Sequence, residues 1–423
     1  MMIGTCPPLP GRKIVFSMVA ALGLVLAPAP AMSVSAADWP QYRFDSGRTA
    51  ARPQPLPADL YPLWERQLPA PRPAFPGENR LCYDATCEPV VMGKTMFVPS
   101  MVTDSVTALD TETGRQRWQF VAEGPVRLAP VAWRDNVYFV SDDGYLYCVG
   151  AAEGRLKWKF RGLPDGREDR RLMGDGRLVS VFPARGGPVL ADGVLYFTAG
   201  IWSDEGVFVH ALEAETGRVV WSNTDSGHIA MANPDHAVAA EAGISPQGHL
   251  AIVNGTLIVP CGAQLPALMD PKTGRLHTYT MGWGGKYRMP KGCVFVSGIG
   301  KYLFHGGDLY DMGQPGAEPS LNDSGREFDK QRMIHVGGLA RLQVDPANQK
   351  KDLGDFREPV LTPDAMYYQQ DGIVACDLTR PEFLKNTAAK GPRVLQEEND
   401  DPDKGKQKNE RYPDPASVVF PEL

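Results

Sequence analysis

The chain has 423 residues, 43% of them hydrophobic and 9% aromatic, with a formal net charge of −6. That apolar content builds a sizeable core and excludes wholesale disorder, while the acidic balance excludes a protein that tracks nucleic-acid phosphates. The 44 glycines and 38 prolines follow no strict period, which excludes collagen and suits a turn-rich β protein.

At the N-terminus, Arg12 and Lys13 precede an apolar run over 14–27, Pro28 and Pro30 break any helix, and small residues follow in Val34-Ser-Ala-Ala37. Basic, apolar and small zones in that order predict a secretory signal over 1–36, cleaved near Ala36 or Ala37. The apolar run is too short for a bilayer-spanning helix, and no second long one follows. The mature protein is therefore expected to be periplasmic or secreted, without a transmembrane segment. Disulfides are permitted there. Cys82 and Cys87, in Leu-Cys-Tyr-Asp-Ala-Thr-Cys, stand close enough to close a small loop, although free thiols remain equally open. Cys148, Cys261 and Cys376 sit in apolar, strand-like runs where buried thiols are ordinary.

The middle of the chain repeats. Ala108-Leu-Asp-Thr-Glu-Thr-Gly-Arg-Gln-Arg-Trp118 returns as Ala211-Leu-Glu-Ala-Glu-Thr-Gly-Arg-Val-Val-Trp221. A weaker copy ends in Gly154 and Trp158, and a fourth, with Asp270, Thr273 and Gly274, lacks the tryptophan. Apolar runs separated by turn residues precede each copy, as in Val137-Tyr-Phe-Val, Ser-Asp-Asp-Gly, Tyr145-Leu-Tyr-Cys-Val. Each unit thus reads as three strands, a turn, and a fourth strand bearing tryptophan. Asp110 and Thr113 supply side-chain acceptors for the turn's amides, as does Thr216 in its copy. Gly114 and Gly217 supply a positive φ. Trp118, Trp158 and Trp221, each four residues beyond the glycine, lay a large flat face against the adjoining unit.

A-x-D-x-x-T-G-x-x-x-W resembles the tryptophan-docking motif of the pyrroloquinoline-quinone-like (PQQ-like) β-propeller repeat family. The opening Asp38-Trp-Pro-Gln-Tyr-Arg-Phe-Asp45 is similar to the W-P-x-[FY]-R start of many exported bacterial members. The resemblance is strong over 38–281 and patchy beyond. It implies an all-β propeller of four-stranded blades, seven to eight in number, with terminal strands closing the ring. The superfamily holds quinoprotein alcohol dehydrogenases and the periplasmic lipoprotein that assists outer-membrane β-barrel assembly.

Trp118 and Trp158 lie 40 residues apart, the length of one bare blade. The longer later spacings place insertions at 163–178 and 225–242, expected as rim loops. Further units are predicted at 294–311 and 359–378, and residues 60–66 as the outer strand of a closing blade. The propeller is thus placed at 37–383, with a charged, flexible segment at 384–423. The count falls short of eight, leaving open an incomplete ring or a chain truncated relative to longer relatives.

For chemistry, the resemblance would imply a quinone between a tryptophan and a vicinal disulfide, carboxylate and amide ligands for Ca²⁺, and an aspartate base. No adjacent cysteines and no EF-hand-type loop occur. A metal set on His228, Asp235 and His236 has no ligand spacing, and neither a P-loop nor a G-x-S-x-G elbow is present. Aligning the innermost strands at Pro130-Val131 and Pro188-Val189 places Arg127 and Arg185 at equivalent positions. They read either as an anion-holding pair at the channel mouth or as partners of neighbouring acids. The expectation is a non-catalytic binding or assembly scaffold without cofactor, with a protein or small-molecule ligand on its rim or channel. The alternatives are a divergent oxidoreductase using PQQ and Ca²⁺, and the recognition module of a longer enzyme.

Overall fold

Short hairpins start the architecture. At Asp192-Gly193 and Asn254-Gly255 both residues take positive φ, so each turn's twist matches the right-handed twist of its strands. The computed structural model describes residues 38–378, apart from 55–58, 77–82, 233–238, 263, 280–292, 306–307, 313–318, 322–326, 330–333, 339–357 and 371. The expected signal over 1–36 and the charged segment at 384–423 lie outside the described residues. The described residues form one compact unit. Strands dominate it, and no α-helix occurs among the described residues.

Four antiparallel strands run in sequence order in blade 1 (Val90–Met92, Thr95–Ser100, Ser105–Asp110, Gln116–Val121) and in blade 2 (Val131–Trp133, Asn136–Val140, Tyr145–Gly150, Leu156–Arg161). Blade 3 (Gly186–Ala191, Val194–Ala199, Phe208–Glu213, Val219–Asn223) gains a fifth strand, Gly248–His249, parallel to its innermost one. Blade 4 comprises Ala251–Val253, Thr256–Cys261, Gln264–Met269 and Leu276–Thr278. Blade 5 comprises Val296–Ile299, Tyr302–His305, Asp308–Asp311 and Ile334–Gly338. Blade 6 has three strands, Val360–Leu361, Ala365–Gln370 and Gly372–Asp377. These six sheets are propeller blades; three strands of the fifth fall within the 294–311 placed by the sequence and its fourth, Ile334–Gly338, lies beyond it, while the sixth falls within 359–378.

The insertions are a correction. Polar composition predicted loops, yet Arg171–Gly174 pairs with Arg177–Ser180, and Ile229–Ala232 with Ala239–Ala242. Asp175-Gly176 makes the first of these a tight hairpin, with both residues at positive φ.

Each blade buries both faces, so alternate residues of one strand serve different neighbours. Val137 and Phe139 pack with Val90, Phe97 and Val106 of blade 1. Between them, Tyr138 packs with Leu195, Phe197 and Leu212 of blade 3. The same logic joins blades 3 and 4 through Val189, Val209, Leu257 and Val259, and blades 4 and 5 through Ile258, Leu268, Val296 and Leu303.

The docking motif closes these junctions from outside. Asp110 Oδ1 accepts the Glu112 and Thr113 amides at 3.0 and 2.9 Å, and the Thr113 hydroxyl at 2.9 Å. Arg117 beside it, with Thr113, pulls its carboxyl down to about 2. Asp270 Oδ1 accepts the Lys272 and Thr273 amides likewise. Thr216 Oγ1 accepts the Arg218 amide at 3.1 Å and donates to Glu213. Gly114, Gly154, Gly217 and Gly274 all sit at φ between 66° and 71°. The indole of the preceding unit lies on each: Trp64 on Gly114, Trp118 on Gly154, Trp158 on Gly217 and Trp221 on Gly274. A Cβ on any of these glycines would fall 2.3–2.8 Å from that indole. Each indole N–H donates to a carbonyl of the same turn, at Thr111, Ala151, Glu215 and Pro271 respectively. Trp64 thus docks as the outer strand of a preceding blade would, although its extended segment 60–68 pairs with no described strand. The fourth copy of the turn, which has no tryptophan of its own, receives one.

Between blades 2 and 3, His210 is buried. Its Nε2–H donates to the Gly162 carbonyl at 2.7 Å, so Nδ1 accepts the Ser222 hydroxyl at 2.8 Å and the ring is neutral. Burial lowers its pKa to about 4, although the Gly162 carbonyl opposes the shift. The unfolded chain takes up this proton below about pH 6.5 and the folded chain only below about 4. Stability is therefore complete above pH 6.5 and falls by about 3 kcal/mol from this site as pH drops to 4. Urea denaturation at pH 7 and pH 4.5 checks this, and His210→Gln should show a smaller difference between the two.

Candidate functional site

Arg127 and Arg185 precede the innermost strands of blades 2 and 3, and the fold brings them together, 4% and 1% exposed. They converge on carboxylates of this chain. Asp142, in the Ser141-Asp-Asp-Gly144 turn of blade 2, takes Arg127 Nε on Oδ2 at 2.6 Å. It takes Arg185 Nε on Oδ1 and Nη2 on Oδ2, both at 3.0 Å. Asp84, from the segment before blade 1, sets Oδ2 2.5 Å from Arg185 Nη1 and 3.7 Å from Arg127 Nε. Arg127 Nη1 donates to the Arg72 carbonyl at 2.6 Å, and the Phe75 ring lies 5.4 Å from the Arg185 guanidinium. Of the two readings open in the sequence, the pairing with neighbouring acids is the one the geometry shows, because a buried guanidinium must be neutralised.

The two carboxyls differ. Burial pushes both up, but at Asp142 Arg185 and Arg127 outweigh it and hold the carboxyl below its ordinary range. At Asp84 burial wins and the carboxyl is raised.

A second constellation lies among the innermost strands and was missed in the sequence. Segment 39–50 bonds in turn to all six blades. Trp39 exchanges two backbone hydrogen bonds with Val91 of blade 1, each 2.8 Å, and the Pro40 carbonyl accepts Ala132 N of blade 2. The Gln41 amide donates to Leu190 O and accepts Leu190 N of blade 3. Ser46 O accepts Ile252 N of blade 4, Gly47 O accepts Gly298 N of blade 5, and Thr49 O accepts Leu361 N of blade 6. Tyr42 stacks on the buried His249, with centroids 3.7 Å apart and planes 7° apart. His249 Nε2 accepts the Ala129 amide, and burial, aided by Arg48, holds its pKa well below the usual imidazole value.

Arg48 is fully buried and meets carbonyls rather than a carboxylate. Nε donates to Leu250 O at 2.7 Å, Nη2 to Pro188 O at 2.9 Å, and Nη1 to Tyr42 O at 3.0 Å. The planar fork serves several acceptors at once, as an ammonium could not. Arg43, Phe44, Arg48 and Ala50 all take positive φ, a strained run held by these bonds and by Asp45, which accepts Thr49 N and Oγ1.

The remaining expected site residues do not converge. Cys87 is a free thiol that donates to Pro99 O at 3.3 Å, and Cys82 lies outside the described residues. His228 is exposed, while Asp235 and His236 lie outside the described residues. No three His, Cys, Asp or Glu side chains gather as a metal-ligand set among the described residues. No described helix is long and apolar enough to cross a membrane.

A PQQ-type family model, described as outer membrane protein assembly factor BamB, matches residues 62–176. Tetrathionate hydrolase of Acidithiobacillus ferrooxidans is 26% identical over 200 residues, 45% of this chain and 34% of that protein. The dehydrogenase subunit of quinone alcohol dehydrogenase from Gluconacetobacter polyoxogenes is 30% identical over 126 residues, 27% of this chain and 16% of that protein. The matches therefore span about a third or less of these relatives' length. Among solved structures, BamB from Moraxella catarrhalis matches with a TM-score of 0.40 at 19% identity, over 68% of this chain and 70% of that one. Quinohemoprotein alcohol dehydrogenase from Comamonas testosteroni matches with a TM-score of 0.46 at 17% identity, over 78% and 57%. With residues 62–176 matched by the family model and its tryptophans docked turn after turn, the chain is similar to the PQQ-like β-propeller repeat family over its repeats.

Proposed function

We propose that this chain is an exported, non-catalytic PQQ-like propeller that works as a binding or assembly scaffold, with a protein or small-molecule ligand on its rim or channel. The observation that carries this reading is segment 39–50, which fills the space among the innermost strands with its own backbone, Arg48 and the Tyr42–His249 stack. The described residues do not fit a quinone there. A flat cofactor needs a slot between two hard faces and a ligand set for its cation. The groups lining this space are instead carbonyls already taken by Arg48 and amides already bonded to segment 39–50. Fold-level likeness to dehydrogenases does not supply a site that local chemistry lacks.

The match to the BamB assembly-factor model supports an assembly role, and that to the quinone alcohol dehydrogenase favours the second reading, a divergent quinoprotein oxidoreductase. The short share of each relative that is matched supports a third, a recognition module of a longer enzyme. Incubating the purified protein with PQQ and Ca²⁺, desalting, and recording absorbance and native mass separates the first two. The expected result is no retained quinone and no dye reduction with ethanol; retained quinone with alcohol-dependent dye reduction would establish the oxidoreductase.

A further inference from the structure

We propose that Arg127 and Arg185 form a carboxylate-binding site with two positions, one held permanently by Asp142 and the other filled from within the chain by Asp84, which a small organic acid can replace. The inference goes beyond the scaffold reading and does not depend on it.

The two positions are built differently. Asp142 belongs to a strand-connecting turn of blade 2 and makes three hydrogen bonds of 2.6–3.0 Å to the two guanidiniums. Asp84 comes from a connecting segment outside every sheet. Its Oδ2 approaches Arg185 Nη1 with no N–H aimed at it, and its good contact there is one amide, Ala74 N, at 3.3 Å. Asp84 Oδ1 and Arg185 Nη1 are both buried without a hydrogen-bond partner. Arg185 Nη1 is thus ion-paired to Asp84 Oδ2 without an aligned hydrogen bond, beside the unbonded Oδ1, so Asp84 supplies the charge the site requires but not the full fit. A free carboxylate, not tethered to a backbone, can present both oxygens to the guanidinium forks as Asp142 does.

Electrostatics sets the ligand class. Two guanidiniums against Asp142 alone leave one positive charge, 0–4% exposed, in a medium where Coulomb attraction is several times stronger than in water. A monoanion restores neutrality, whereas a second dianionic charge would find no partner. Phe75 over Arg185 and Met101 beside Arg127 line the position with apolar surface, which suits a short acid such as formate or acetate. Asp84, tied to the chain, competes at a high effective concentration and should weaken external binding to the native protein.

The test is chemical rescue. Asp84→Gly opens the position, and titration calorimetry with sodium formate should show one-to-one binding at least tenfold tighter than to the native protein. Its thermal midpoint should rise with formate and saturate, while equal sodium chloride gives no saturating rise. Asp84→Asn fills the position without charge and should not bind formate. Should Asp84→Gly fail to fold in ordinary buffer, refolding is repeated in formate and in chloride, and recovery of native circular dichroism in formate alone supports the site. Binding of equal strength to native protein and variant, undiminished binding by Asp84→Asn, or no recovery in saturating formate would each overturn the proposal.

Discussion

Trp221→Ala is expected to lower the unfolding free energy by about 3–5 kcal/mol, the cost of truncating a buried aromatic. Trp221 is 9% exposed, lies on Gly274 of the next blade, meets Tyr196 at 6.0 Å between ring centroids, and donates to Pro271 O at 2.8 Å. Removing it opens a cavity between blades 3 and 4 and orphans a carbonyl. Gly274→Ala attacks the same contact from the other side, because its Cβ would stand 2.3 Å from the indole at a φ of 71°. The two changes should be strongly non-additive when combined, since removing the indole also removes the clash. Val220→Ala, on an exposed neighbour in the same strand, should cost little. Urea denaturation of the four variants decides the matter, and an unchanged midpoint for Trp221→Ala would contradict the docking role.

Much of this fold was legible because the repeat combines residues with few alternatives. A glycine at positive φ, a turn acceptor and a tryptophan four residues on can recur at matched spacing only if each unit meets the next in the same way. The sequence pattern therefore located the docking glycines and the blades carrying them, whereas the docking of Trp64, which follows no Thr-Gly turn, came from the structure. Insertions were harder. Residues 163–178 carry eight charged side chains in sixteen and so read as a loop, yet Asp175-Gly176 permits a hairpin whose facing Met173 and Leu178 are both exposed. Position in the sequence also hid the acids of the buried ion cluster. Asp142 reads as an ordinary hairpin turn residue, and Asp84 as a spacer between two cysteines. The available signal was the pair of arginines at matched offsets. Once both are taken to be buried, two carboxylates nearby become obligatory. Segment 39–50 gave no such hint. Its start resembles that of exported members, but nothing in Asp45-Ser-Gly-Arg-Thr49 distinguishes an exposed loop from a backbone that serves six sheets.

That segment gives the second large effect. Arg48→Ala should destabilise the protein by about 3–5 kcal/mol, since it strips a buried charged donor from several buried carbonyls at once. Burial pulls the Arg48 pKa down to about 10, with Asp45 and Tyr42 opposing, so the group remains a cation at neutral pH. Arg48→Lys should recover little of the loss. A single ammonium cannot reach Leu250 O of the blade 3–4 connection and Pro188 O of blade 3 in the directions the fork uses. A consequence in other blades separates a central tie from a local one. Ala132, Ile252, Gly298 and Leu361 each donate an amide to segment 39–50, from blades 2, 4, 5 and 6. If Arg48 holds the segment, all four amides should lose hydrogen-exchange protection together in Arg48→Ala, while amides between strands within each blade keep theirs. Loss confined to residues around Pro188 and Leu250 would mean that Arg48 staples two neighbouring strands and that the segment stays in place without it.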